Sequence, residues 1–256
     1  GLCQVQDLKA RSAQSARQAA AFIGAGQSAD TLAAMRPADL WMLSVPDTQV
    51  QAVANELAAV WPGASGHRIP MAFHCSGFLQ ASAMAALGER GCVLASVHPV
   101  LNFASASTGV AQFPGTPCGI EGEATALDIL RPLLEGVGGR CFAVQSEHKA
   151  LYHAAAVFSS NYLVVLQAIA REAWQAAGVP PALLPDVHAA LLQATVTNTL
   201  ALGPAGAITG PAARGDTAVV QAQGEVVKRW NAPAGDVYKT LSELAAQLKK
   251  HGKTRL

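Results

Sequence analysis

A change of pattern near residue 145 constrains this chain more than any other feature. Before it, short β-like runs alternate with alanine-rich helical stretches; after it, only long helical patterns follow. Strand–helix alternation is the signature of βαβ units and a mostly parallel sheet. The expectation is therefore an α/β domain over residues 1–145 and an all-α domain over 146–256. Strands are expected near 3–8, 39–45, 68–74, 92–98, 118–121 and 140–144, with helices at 12–22, 50–61, 79–87 and 124–137. The later helices are expected at about 148–177, 182–202, 217–230 and 236–250, the first pair separated by Gly178-Val179-Pro180-Pro181.

At 256 residues the chain is long enough for two domains. Only 14% of residues are charged and 51% are hydrophobic, so a large apolar surface is expected to be hidden in a subunit contact, a homodimer through the helical domain. The formal charge is 18 − 17 = +1, and the basic cluster Lys249-Lys250-His251-Gly252-Lys253 reads as a solvated helix end, so nothing supplies the footprint nucleic acid needs. Cys3, Cys75, Cys92, Cys118 and Cys141 stand singly with no CxxC pair, which disfavours a zinc site and a disulfide framework and points to a reducing, cytoplasmic home. No uninterrupted apolar stretch of about 18 residues and no signal peptide is expected.

Ile23-Gly24-Ala25-Gly26-Gln27-Ser28-Ala29 fits a GxGxxA pattern, but the residues before it read as a helix rather than a buried strand. Gly24 is better explained as that helix's C-terminal cap than as a phosphate-binding glycine. If residues 3–8 form the second strand of a dinucleotide-binding sheet, the first strand and the phosphate loop are expected upstream of Gly1.

The run Glu147-His148-Lys149-Ala150-Leu151-Tyr152-His153 opens an apolar helix with a lysine and a histidine one turn apart. Lys149 and His153 share a helix face, Ser160 falls close to the same line, and Asn161 sits roughly 100° round.

Leu43-Ser44-Val45-Pro46-Asp47, a strand running into a helix, looks like the fourth strand of the Rossmann domain of the 6-phosphogluconate dehydrogenase-like superfamily. That superfamily includes β-hydroxyacid dehydrogenases, pyrroline-5-carboxylate reductase, ketopantoate reductase and prephenate dehydrogenase. His74-Cys75-Ser76-Gly77, Ser96-Val97-His98-Pro99, the stretch from Lys149 to Asn161, and Thr209-Gly210-Pro211-Ala212-Ala213-Arg214-Gly215-Asp216 follow in the same order. Together they closely resemble a bacterial family that joins a Rossmann-like NADP-binding domain to a C-terminal helical domain of unknown function.

The resemblance implies roles for particular residues, each set beside a plainer explanation. Lys9, Arg11 and Ser12 follow the first strand where relatives bind the adenosine ribose, and their cations favour NADP over NAD; a solvated loop capped by Ser12 is the alternative. Val45, Pro46 and Asp47 lie at the sheet's carboxyl edge, as cofactor contacts or as an ordinary helix start. Ser76 and Gly77 resemble a turn that abuts the nicotinamide, with His74 at the substrate; otherwise His74 is satisfied by backbone and Ser76 is a cap. His98 resembles the histidine of a Ser-His-Pro turn in prephenate dehydrogenases, able to bind a carboxylate or move a proton, or merely bonded to the next loop.

Lys149 matches by location the catalytic lysine of β-hydroxyacid dehydrogenases, with His153 where those enzymes have an asparagine. It is expected as general acid or base with His153 as partner, against a lysine snorkelling at a helix end. Ser160, Asn161, Asn198 and Arg214 are expected at the substrate, Arg214 as an anion anchor, with a structural Arg214–Asp216 pair as its alternative. The resulting expectation is an NADP-dependent oxidoreductase acting on a small carboxylate-bearing substrate in an interdomain cleft, without a metal. Its rivals are a non-catalytic dinucleotide-sensing protein and a prephenate dehydrogenase-like enzyme.

Overall fold

The computed structural model describes residues 2–63, 69–103 and 105–255. Its elements in chain order are β1 (Asp7–Leu8), α1 (Ala13–Ile23), β2 (Gln27–Ser28), β3 (Leu40–Leu43), α2 (Asp47–Ala59), β4 (Met71–His74), α3 (Ala85–Gly88), β5 (Val93–Pro99), α4 (Ala106–Gln112), β6 (Pro117–Gly122), α5 (Ala124–Gly136) and β7 (Arg140–Ala143). Helices α6 (Lys149–Ser159), α7 (Asn161–Ala176), α8 (Leu184–Ala207), α9 (Pro211–Arg214), α10 (Thr217–Trp230) and α11 (Ala232–His251) complete it. The α/β fold with a helical C-terminal region is the one the pattern implied.

Two compact units form, Gly1–Ser159 and Ser160–Leu256. The division comes later than the expected 145/146, because α6 belongs with the sheet unit: Lys149 and Tyr152 bond to groups on the strands. The expected 148–177 helix is also broken, at Ser160, where φ is −123° and ψ −71°.

In the first unit β3-β4-β5-β6-β7 form one sheet, parallel throughout except where β6 runs antiparallel to β5. Both faces are covered, which is why β4 is buried along its whole length. Strand alternation sends Trp41, Leu43, Ala72 and Leu94 to one face, against Val50, Ala54 and Leu57 of α2 and Met84 and Leu87. Met71, Phe73, Ala95, Val97, Cys118 and Ile120 go to the other, against Ala126 and Leu130 of α5.

β1 is shorter than the expected 3–8 and pairs in parallel with β2, which the sequence reading did not anticipate, in a separate two-stranded sheet. Gly24 caps α1 with φ 75° and its N–H on the Ala20 carbonyl, as the capping explanation of the glycine-rich stretch requires. The expected 79–87 helix is a 3₁₀ turn, Ala81–Met84, leading into the short α3. Arg68, where the third expected strand begins, lies outside the described residues.

The second unit is all helix. Its long α8 is kinked at Gly203, whose φ of 69° only glycine adopts without strain. Leu163, Val164 and Val165 on α7 and Leu191, Leu200 and Leu202 on α8 are exposed, Leu200 at 83%. No apolar stretch of about 18 residues is unbroken, but among the described residues the run Ser146–Ala176 is long and apolar enough by length and composition to cross a membrane, with a mean hydropathy of 1.3. Isolated polar residues such as Ser159, Ser160 and Asn161 hide that average from a search for an unbroken apolar run.

Candidate active site

Two transverse rows of the sheet build the site, both on the α2 face. The first is His74 on β4, Ser96 on β5 and Glu121 on β6, adjacent in register. The second is His98 on β5, Gly119 on β6 and Phe142 on β7. Residues two apart on a strand share a face, so Ser96 and His98 stand side by side, as do Glu121 and Gly119.

The first row is polar and buried. Glu121 Oε2 accepts hydrogen bonds from Ser96 Oγ at 2.7 Å and from the Ala81 N–H at 2.9 Å, and Oε1 accepts from Ser146 Oγ at 2.8 Å. Lys149, at the start of α6, lies over this row. Its ammonium donates to Ser96 Oγ at 2.5 Å and to the Ser76 carbonyl at 3.0 Å, and stands 3.7 Å from Glu121 Oε2. Two of the three ammonium protons thus have acceptors on the protein, and the Glu121 carboxylate stands at ion-pair rather than hydrogen-bond distance. Lys149 is 2% exposed; burial pushes its pKa down, opposed by the Glu121 carboxylate.

His74 and Ser76 are satisfied by backbone. The Ser76 N–H donates to His74 Nδ1 at 3.2 Å, which leaves His74 Nε2 to donate to the Gln80 carbonyl at 3.0 Å. Ser76 Oγ caps the following turn by accepting from the Phe78 and Leu79 N–H groups. His74 is fully buried, and burial lowers its pKa. These bonds match the plainer explanations offered for both residues, and both side chains are buried.

The second row is half-buried. Tyr152 Oη lies 2.8 Å from His98 Nδ1, the rings nearly perpendicular at 89°. The tyrosine occupies the space left by the missing side chain at Gly119, where a β-carbon would meet Tyr152 Oη at 2.7 Å. His153 packs edge-on to His98 with centroids 5.7 Å apart. Gly77 closes the group: a β-carbon there would meet His153 Cδ2 at 2.6 Å and His98 Cδ2 at 2.9 Å. Burial lowers the His98 pKa first, then the charges of His153 and Lys149, against Asp47. Burial raises that of Tyr152.

Around this centre, Val45 and Pro46 lead into α2 and Asp47 opens it, near enough to act on the charges of His74, His98 and Lys149. Lys9 and Arg11 are exposed between β1 and α1, and Ser12 caps α1 by accepting from the Ser15 N–H. Two cations beside a helix N-terminus with no acid in its first turn form a donor set suited to a phosphate. In the second unit, Ser160 sits at the helix break and Asn161 opens α7; Asn198 is exposed on α8. Arg214 is bonded to Asp216 at 3.0 Å, the structural pairing foreseen as its alternative.

Lys149, His153, His98, Ser76, Gly77 and His74 are therefore brought together, whereas Lys9, Arg11 and Ser12 form a separate place in the same unit. Sequence reasoning missed Glu121, Ser96 and Tyr152 as site residues. Two signals were available: a carboxylate inside a β-run calls for a buried cation, and Tyr152 stands one turn from Lys149 on the same helix face.

Residues 3–99 match the Rossmann-like domain family, and residues 116–245 match a domain of unknown function, DUF2520. No curated protein matches the chain. Among solved structures, protein TM1727 from Thermotoga maritima superposes with a TM-score of 0.75 at 25% identity, covering 95% of this chain and 90% of that one. BF3122 from Bacteroides fragilis, a candidate NADP oxidoreductase, gives 0.72 at 22% identity, covering 95% and 88%. An imine reductase from Myxococcus stipitatus in complex with NADP+ gives 0.59 at 16%, covering 98% and 88%. At 22% and 16% identity, the last two likenesses are of fold.

Proposed function

Because the chain belongs to the DUF2520 family, with a Rossmann-like domain ahead of that region, we propose that it is an NADP-dependent oxidoreductase acting on a small carboxylate-bearing substrate. The observation that carries this reading is the grouping of His98 with Tyr152 and His153, the two imidazoles packed at Gly77, by the carboxyl ends of β4 and β5. In open α/β sheets, that edge is where ligands bind. The names of the Bacteroides and Myxococcus neighbours support the cofactor.

NADP, when bound, supplies or accepts the hydride. Lys9 and Arg11 would hold its 2′-phosphate, beside the α1 N-terminus that follows them. The ring N–H groups of His98 and His153 offer donors to an anionic substrate group, and the absent side chain at Gly77 lets both imidazoles pack against the turn after β4. Buried, bonded to Ser76 and Ser96 and ion-paired with Glu121, Lys149 would hold α6 on the sheet rather than exchange a proton with substrate.

The test is NADPH oxidation by the full-length protein with small 2-keto acids and cyclic imines. Turnover with NADPH preferred over NADH is expected; failure to bind NADPH, followed by its fluorescence, would sink the reading. A non-catalytic dinucleotide-binding protein is the second reading, favoured by the burial of the Lys149 ammonium among protein groups. It predicts tight NADPH binding with no turnover.

A homodimer through the helical unit belongs to the same proposal, supported by the exposed apolar side chains of α7 and α8. A second copy suits them better than lipid, since the run from Ser146 begins with a lysine and a serine bonded to a buried carboxylate cluster. A cytoplasmic location is supported by five free cysteines.

A further inference from the structure

We infer that Tyr152 and His98 form the proton-transferring pair of this site, with Tyr152 Oη the atom that meets the substrate and His98 Nδ1 the acceptor behind it. The inference rests on the oxidoreductase reading above and names the residues of its proton step.

Three observations carry it. Tyr152 Oη and His98 Nδ1 are 2.8 Å apart, within hydrogen-bonding distance. Both side chains are half-buried, whereas Lys149 and His74 on the neighbouring row are closed off from solvent and bonded to protein groups. The pair also has a built socket: Gly119 lies between His98 and Phe142 in register, its missing side chain admits the phenol, and Phe142 flanks the ring at 6.1 Å.

In the oxidation direction, the substrate O–H or N–H bond breaks and its proton goes to Tyr152 Oη. The phenol's own proton passes to His98 Nδ1, leaving neutral tyrosine and an imidazolium. The electron pair of the broken substrate C–H bond leaves with the hydride, in the nicotinamide chemistry stated above. Reduction runs the same transfers backwards, the imidazolium being the proton source. The groups facing His98 are Tyr152, His153 and Lys149 on α6 and Asp47 on α2. Burial first, and then the two basic side chains among these, disfavour a positive charge on His98, so near neutral pH its imidazole is ready to accept a proton.

Two measurements on the full-length protein test the pair. The first needs no substrate: nitrogen NMR of 15N-histidine-labelled protein near neutral pH. His98 is expected to show a bare, hydrogen-bonded Nδ1 and a protonated Nε2, and Tyr152→Phe is expected to move the Nδ1 resonance. The second is turnover with the keto acids and imines above. Tyr152→Phe is expected to lower kcat about 100-fold or more, with KM and NADPH affinity within about twofold, and to abolish the fall in oxidation rate as pH drops through the His98 pKa. If Tyr152→Phe does not fold, His98→Gln breaks the same bond from the other side.

An unmoved Nδ1 resonance overturns the inference whatever the turnover. So does a moved resonance with kcat retained, and in both cases the oxidoreductase reading stands. A wild-type protein that oxidises NADPH with none of these probes removes that reading, and the inference goes with it.

Discussion

Ser96 and Glu121 face each other on antiparallel strands, and the serine hydroxyl links the Glu121 carboxylate, at 2.7 Å, to the Lys149 ammonium, at 2.5 Å. A helix, two strands and the turn after β4 are thereby tied to one buried charge pair. Lys149→Met leaves Glu121 charged and unpaired, so a loss of about 3–5 kcal/mol is expected in urea denaturation. The double variant Lys149→Met/Glu121→Gln removes both charges and is expected to recover part of that loss. Equal stability of the single and double variants would show that the pair is not coupled.

The glycine sockets give a second prediction. Gly119→Ala places a methyl group 2.7 Å from Tyr152 Oη, and Gly77→Ala places one 2.6 Å from His153 Cδ2 and 2.9 Å from His98 Cδ2. Each is expected to cost about 1–3 kcal/mol by overpacking, seen as a lowered Tm. Gly119→Ala should also move the His98 Nδ1 resonance, because the displaced group is Tyr152.

Acid should weaken the fold through His74 and His98. Burial holds both pKa values below 6.5, so the unfolded chain binds more protons than the native one just below that pH. Stability is then complete above about 6.5 and declines as pH falls towards the native values. Urea midpoints measured from pH 7 down to 5 should fall, and less steeply in His74→Gln; an identical slope in that variant would exclude His74 as a source.

Cofactor preference is expected to reside in Lys9 and Arg11. Their replacement together by alanine should weaken NADPH binding about tenfold or more, on the order of 1.5 kcal/mol for a lost charge-assisted contact. NADH binding should stay nearly unchanged. Equal weakening of both nucleotides would remove the 2′-phosphate assignment.

Subunit association is expected to depend on the exposed side chains of α8. Leu200→Asp should convert a dimer to a monomer in sedimentation analysis, with the helical content unchanged; a wild-type monomer would contradict the proposal directly.

What the sequence determined by itself was the architecture. The alternating pattern before residue 145, the glycine cap after α1 and the long helical repeats each state a local preference that packing had no reason to overrule. The residues at the heart of the site, Lys149, His98, His153 and Gly77, were also legible, because polar groups at strand ends and at a helix start are few in so apolar a chain. Tertiary structure alone decided what they do. Register placed Glu121 beside Ser96 and left Gly119 open for Tyr152, so the lysine became a buried cation while the phenol and imidazole met. Strand pairing joins residues far apart in the chain, and a one-residue shift would turn each to the other face; no local pattern around Glu121 or Tyr152 contains that information.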